Sequence, residues 1–368
     1  MPYNQYEKNQ DFNTYLDRNW GEVRIGTFSE AASFMLFNYD ETSYIEQLNE
    51  WISRKQQSLR LTYDKLLQIK TNLSRLQQLE NAITNGSLTP VVGAGLSAPS
   101  GHPTWTTFLR DTARNLEMDL NIIDQKINAG LHEEIASSFI DKMNIEWFNE
   151  QIEHNFSLKS YPQGAIQQLP NLDPACIITT NFDKNIETIF ESSRKSFDHI
   201  LLSDKLMGFG RRLSQSTRIL IKIHGDHLEP YNRILTKEEY DASYGHGPID
   251  LDLNLPKTLA QIYKTRTLLF LGCSLMADRT MKVFNRVKSD STSEQEIPRH
   301  YTFEQLPTNS NHTLKREREL IDHMIFPIWY PRGEHQHIES ALAHLSEVFR
   351  TKNRNLGTSH TTTLTPQT

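Results

Sequence analysis

The sequence predicts an α/β protein: a parallel sheet flanked by helices, with a helical region ahead of it and a helical insertion inside it. Three observations predict this. Seven short runs of apolar and β-branched residues recur along the chain, as suits strands buried on both faces. Helical patterns lie between these runs, and strands alternating with helices fold as parallel sheets. Four of the runs end in small or polar residues, which on a parallel sheet gather at one edge. The class is Rossmann-like.

Composition sets the bounds. The 368 residues suggest one large domain with an appendage, or two domains, able to bury a core without disulfide or metal staples. Lys+Arg 39 against Asp+Glu 45 gives a net charge of -6, so no direct nucleic-acid binding is expected. Cys176 and Cys273 form no disulfide framework and cannot make a four-cysteine zinc site, and no metal is expected. The longest apolar runs fall far short of the ~20 residues needed to span a bilayer. The first residues are polar, without the apolar stretch of a leader. The expectation is a soluble cytoplasmic protein with no membrane contact.

Residues 1–86 show no convincing strand. From 59 to 83 an apolar stripe runs through Leu59, Leu66, Ile69, Leu73, Leu76 and Ile83, which reads as one face of a long helix. Such a face either packs on the protein's own body or serves oligomer and partner contacts. Residues 87–350 form the body, with strand signals at 89–92, 175–179, 199–202, 219–223, 267–271, 300–303 and 324–329. Helical patterns follow at 105–116, from 183, at 256–263 and at 276–287. Thr236-Lys-Glu-Glu239 spells a capping box. The strandless stretch 110–171 reads as a helical insertion. The polar tail at 351–368 reads as disordered.

Four segments carry chemistry. In Thr89-Pro-Val-Val-Gly93-Ala94-Gly95-Leu96-Ser97 a strand runs into a Gly-x-Gly turn. Glycines there permit positive φ and a close backbone approach to a pyrophosphate. Alone, the same pattern also fits a tight turn without ligand. Cys176-Ile-Ile-Thr179-Thr180-Asn181-Phe182-Asp183 ends a second strand, where Asn181 and Asp183 are equally suited to capping the next helix. Ile219-Leu-Ile-Lys-Ile223-His224-Gly225 places a histidine at a third strand end. Its ordinary pKa near 6.5 suits proton transfer at neutral pH. Leu268-Leu-Phe-Leu-Gly272-Cys273-Ser274 ends a fourth. Parallel strands share their C-terminal edge, so the four endings converge on one crevice, and that convergence is the case for a nucleotide site. Trp105 fits either core packing or a pocket wall, and His102 is a second candidate for the wall. Cys273 reads as a small packing residue.

These segments resemble the sirtuin superfamily. Gly93-Ala94-Gly95-Leu96-Ser97 is similar to its Gly-Ala-Gly-x-Ser loop, and Thr179-Thr180-Asn181-Phe182-Asp183 to its Thr-Gln-Asn-x-Asp segment. Ile223-His224-Gly225 is similar to its His-Gly, and Gly272-Cys273-Ser274-Leu275 to its Gly-Thr-Ser-Leu. The four-cysteine module and the Gly-Ile-Pro-Asp-Phe-Arg loop of protein-deacylating members are missing. Pro103-Thr-Trp105, Leu235-Thr-Lys-Glu-Glu-Tyr240 and Phe326-Pro-Ile-Trp-Tyr-Pro331 resemble the divergent bacterial sirtuin-like branch of antiphage defence proteins. The resemblance implies an NAD glycohydrolase, with NAD as substrate and nicotinamide and ADP-ribose as products. It implies catalytic roles for Asn181, His224 and Asp183. It assigns NAD contacts to Gly93, Ala94, Gly95, Ser97, Thr180, Gly272 and Ser274. It also implies a homo-oligomer, or a sensor or motor partner such as a HerA-type ATPase or an Argonaute-like protein. A zinc-less deacylase and a non-catalytic ADP-ribose- or NAD-binding assembly subunit are the alternatives.

Overall fold

A computed structural model describes residues 4–359, apart from 216–217, 276–278, 292 and 294–295, with side chains as far as Arg354. The N-terminal region opens with α1 (Gln5–Lys8) and α2 (Gln10–Trp20). An antiparallel hairpin follows, β1 (Glu22–Ile25) and β2 (Phe28–Ala31). Its turn is two residues long, with Gly26 at φ 64°, the left-handed geometry that short hairpins need. This hairpin departs from the reading of 1–86 as strandless. Its residues are mostly exposed, so no alternation of apolar and polar residues marks it. Then come α3 (Ala32–Tyr39), α4 (Glu41–Leu67) and α5 (Asn72–Thr84).

The 59–83 stripe is therefore two helices, broken where Thr71 adopts φ 74°. Asn72 sits in the break, fully buried. Its amide donates to the carbonyls of Leu66 and Trp329 and accepts from the Trp329 N–H at 2.9 Å. Leu66, Leu76, Leu79 and Ile83 enter the same core as the sheet, whereas Leu73 is exposed. Farther out, Phe12, Leu16, Tyr44 and Leu48 form a small core of their own.

The body begins with β3 (Leu88–Val92) and the one-turn α6 (Ala94–Ser97). The insertion supplies α7 (Trp105–Asn115), α8 (Leu120–Asn128), α9 (His132–Lys142) and α10 (Ile145–Phe156), and α11 (Leu169–Leu172) leads back. Its helices close over a separate core built on Phe108, Phe139, Phe148 and Ile152. The alternation then resumes: β4 (Cys176–Thr179), α12 (Asn185–Ser192), β5 (His199–Leu202), α13 (Phe209–Gln215), β6 (Ile219–Lys222), α14 (Lys237–Tyr244), α15 (Asn254–Thr265), β7 (Thr267–Leu271), α16 (Arg279–Asp290), β8 (His300–Gln305), α17 (Ser310–Ile321), β9 (Ile325–Tyr330) and α18 (Gln336–Ser359). All seven strand signals of the body correspond to strands. The last helix continues through 351–359, the first part of the segment read as a disordered tail. Residues 360–368 lie outside the described residues.

The seven strands form one parallel sheet in the order β5-β6-β4-β3-β7-β8-β9. Side chains alternate between its faces. Val92, Ile177, Leu220 and Leu269 pack toward α5, α12 and α18. Val91, Ile178, Ile221 and Phe270 pack toward α15 and α16. The chain leaves β3 for β4 on one side and later returns to β7 on the other. The C-terminal end of β3 is thus the switch point where such sheets open a crevice.

Candidate active site

The crevice is a cavity of about 920 Å³ at the carboxyl edge of the sheet. That is at the upper end of the ~300–1,000 Å³ typical of small-molecule sites. Gly93, Ala94 and Gly95 after β3 line it, with Thr180, Asn181 and Asp183 after β4. His224 after β6 and Gly272, Cys273 and Ser274 after β7 complete that wall. Ser97 stands one layer back, where its hydroxyl accepts from the Asn181 amide at 3.0 Å. The structure thus brings all ten sequence-derived site residues to one place, nine on the cavity wall and Ser97 behind it.

The Gly-x-Gly turn works differently from its sequence reading. Gly93 has φ -107°, so positive φ is not the reason for glycine there. The reason is the neighbouring loop. A Cβ on Gly93 would lie 2.6 Å from the Gly272 carbonyl oxygen, and one on Gly95 would lie 3.0 Å from that same oxygen. Gly272 is the residue at positive φ, 68°, and a Cβ on it would sit 2.3 Å from the Leu96 nitrogen. The Gly95 N–H donates to the Gly272 carbonyl at 3.0 Å. The loops after β3 and β7 are pressed together, and part of the backbone donor set serves that contact.

Asn181 is 6% exposed. Its backbone N–H donates to Thr179 Oγ1 at 3.0 Å, and Thr179 Oγ1 donates to the Val92 carbonyl at 2.9 Å, which ties the β4 ending to β3. Asp183 is buried and accepts from the Asn185 N–H at 3.0 Å, so it braces the start of α12. The His224 ring is half-buried on the cavity wall, with its Nε2 3.3 Å from the Tyr240 hydroxyl. Burial pushes its pKa down to about 4 instead of leaving it at the ordinary 6.5. The imidazole is therefore neutral at physiological pH, with a lone pair available.

Beneath these loops lies a group that the motif reading missed. Lys222, the last residue of β6, is completely buried. Its Nζ donates to the Asp183 carbonyl at 2.8 Å, to Glu187 Oε1 at 3.0 Å and to Asp226 Oδ2 at 2.6 Å. Burial works against its charge, but the two carboxylates outweigh burial and hold its pKa above the ordinary lysine value. The sequence held a clue: a lysine interrupts an otherwise apolar strand, and a strand buried on both faces can hold one only if it is paired.

The cavity wall also carries Glu133, Glu304 and Glu339. Each is ion-paired from outside, by Arg279 at 3.2 Å, Arg316 at 3.0 Å and Lys55 at 3.0 Å respectively. This neutralises carboxylates that would otherwise repel an anionic ligand. Trp105 is both core and wall: it stacks on Phe108 at 5.3 Å and borders the cavity. His102 is buried but not part of the wall. Cys273 lies on the wall, partly exposed. Among the described residues no helix is long and apolar enough to cross a membrane.

The SIR2-like domain family matches residues 175–328. The chain is 25% identical over 247 residues to the NAD(+) hydrolase ThsA of Cytobacillus dafuensis, covering 67% of this chain and 45% of that protein. It is 26% identical over 208 residues to defense-associated sirtuin 2 of Bacillus subtilis, covering 54% of this chain and 19% of that one. A ThsA of Acinetobacter baumannii (strain 532279), also named an NAD(+) hydrolase, is 24% identical over 211 residues, 57% of this chain and 40% of its own. The chain thus spans less than half the length of these curated relatives. Seven parallel strands thus carry four motif-bearing ends on one cavity, and the chain is similar over residues 175–328 to SIR2-like domains.

Proposed function

We propose that this protein hydrolyses NAD to nicotinamide and ADP-ribose, as the NAD-depleting effector of a bacterial antiphage defence system. One observation carries the reading: four strand endings, distant in sequence, meet on a single cavity with a neutral histidine and a pinned asparagine on its wall. The names of the relatives, NAD(+) hydrolase and defense-associated sirtuin, support the reaction and the setting.

Cleavage of the nicotinamide–ribose bond passes through an oxocarbenium-like transition state, as in glycoside hydrolysis. Nicotinamide departs with the bonding electron pair, and water adds at the vacated ribose carbon. In this scheme Asn181, pinned by Ser97, contacts the nicotinamide ribose and orients the water. His224 accepts the proton that the water loses. Asp183 braces the loop that carries Asn181. The loop from Gly93 to Ser97, with Thr180, holds the pyrophosphate side, and Gly272 and Ser274 meet the adenosine half. Tight packing between the glycine loops keeps side chains out of the ligand's path.

Activity depends on self-assembly or on a separate partner, such as a HerA-type ATPase or an Argonaute-like protein, in the bacterial cytoplasm. Exposed Trp20, Ile25, Phe28 and Tyr39 on the N-terminal region support a contact surface there.

The test is purified protein with NAD over a range of protein concentrations, following nicotinamide release. His224→Ala and Asn181→Ala should each lose about 10²–10⁴-fold while keeping the wild-type circular dichroism. Both variants cleaving NAD at the wild-type rate would overturn these roles.

A further inference from the structure

The run Leu235-Thr236-Lys237-Glu238-Glu239-Tyr240 has a motif's appearance, yet nothing in the scheme above uses it. The structure shows what it builds. Thr236 caps α14, and Glu239 Oε2 reaches back to the N–H groups of Leu235 and Thr236 at 2.7 and 2.9 Å. Just before it, the Ile234 N–H donates to the His224 carbonyl at 3.1 Å. The first turn of α14 is therefore locked to the β6 ending. Four residues after the cap, Tyr240 lies edge-on to the His224 ring, with centroids 5.4 Å apart and planes at 65°. Its other side stacks on the fully buried Tyr244 at 5.8 Å and 19°. Both Tyr240 and His224 border the cavity.

We propose that Tyr240 is a positioning residue for His224, whose Nε2–H donates to the Tyr240 hydroxyl oxygen and whose Nδ1 lone pair is thereby kept for the substrate. The proposal rests on the NAD hydrolase reading. A neutral imidazole has two tautomers, and a phenol can donate or accept, so the contact holds the ring in place and the Nε2–H form is the one assigned here. The partner here is the phenol, 3.3 Å away; distances of this kind tighten when the reacting complex forms. No carboxylate among the described residues hydrogen-bonds the ring. The phenol oxygen is thus the group that steadies positive charge when the ring gains its proton. The step balances: as the ribose–nicotinamide bond breaks, water adds to carbon, its proton moves to Nδ1, and nothing is oxidised or reduced.

The test is Tyr240→Phe, which keeps the ring, its stacking on Tyr244 and its edge contact, and removes the hydroxyl alone. Nicotinamide release should show kcat lowered about 10- to 100-fold with KM unchanged. In parallel, the nitrogen NMR shifts of the His224 ring, assigned with His224→Ala, should show Nε2 protonated in the wild type and mixed tautomers in Tyr240→Phe. A variant with wild-type kcat, or a wild-type ring protonated at Nδ1, overturns the proposal. Should the wild-type protein leave NAD intact under every condition, the hydrolase reading falls, and the ring spectrum still decides the tautomer.

Discussion

Replacing Lys222 with methionine isolates the buried charge beneath the site. Methionine is unbranched, of similar length and apolar, so the space stays filled and no cavity opens. What disappears is the ammonium that donates to the Asp183 carbonyl and to Glu187 and Asp226, at 2.8, 3.0 and 2.6 Å. Two buried carboxyl groups then face each other without a cation. Removing one partner of a buried ion pair costs about 3–5 kcal/mol. Against a typical total stability of about 5–15 kcal/mol, that is a large fraction.

The pH dependence follows from the same geometry. In the wild type, burial tends to raise the pKa of Asp226, but the Lys222 ammonium and its hydrogen bond outweigh burial and hold it below the ordinary value. Without the ammonium, burial of Asp226 is opposed only by the Leu228 N–H and Lys184, and Glu187, which burial already holds above its ordinary value, rises further, so the folded-state pKa of the carboxyls lies above that of the unfolded chain. Such groups contribute their stability below the unfolded pKa and lose it as pH climbs through the folded one. The deficit of Lys222→Met should therefore widen from pH 5 to pH 8. Urea unfolding of both proteins at the two pH values measures it. A deficit under about 1 kcal/mol at pH 8, within the range of ordinary surface substitutions and exposed pairs, would refute the reasoning. So would a deficit that shrinks as pH rises.

Gly272→Ala should destabilise the fold and abolish ligand binding, because its Cβ would sit 2.3 Å from the Leu96 nitrogen at a φ of 68°; thermal unfolding and calorimetry with NAD check it. Asn72→Ala removes three buried hydrogen bonds, two to Trp329 of β9 and one to the Leu66 carbonyl of α4. It should cost about 2–4 kcal/mol and expose the N-terminal region to proteases, as unfolding and limited proteolysis would report. Burial pushes His300 down to about 3 and His224 to about 4, so the unfolded chain binds more protons than the folded one below about pH 6.5. Stability should fall as pH drops from 6.5 toward 4, and His300→Asn should flatten the curve of melting temperature against pH.

The sequence by itself determined the strands of the sheet. Most are buried on both faces and so left largely apolar runs, although the edge strand β5 exposes His199 and Ile200 and β6 ends in Lys222. It also determined the four strand endings, because small and polar residues stand out against such runs. Capping-box chemistry is local, which is why the start of α14 could be read from Thr236 and Glu239 alone.

Tertiary structure decided what depends on distant neighbours. The exposed hairpin at 22–31 has no buried face to pattern. The break between α4 and α5 rests on Asn72 reaching Trp329, 257 positions away. Gly93 and Gly95 are glycines because Gly272 presses against them, not because their own backbone needs the freedom. The His224 pKa follows from burial, and its phenol partner from the approach of α14 to β6. Strand order belongs to the same class, since hydrophobic runs say which segments are strands but not which lie side by side. Local chemistry is written along the chain; contacts across it exist only once the chain has folded.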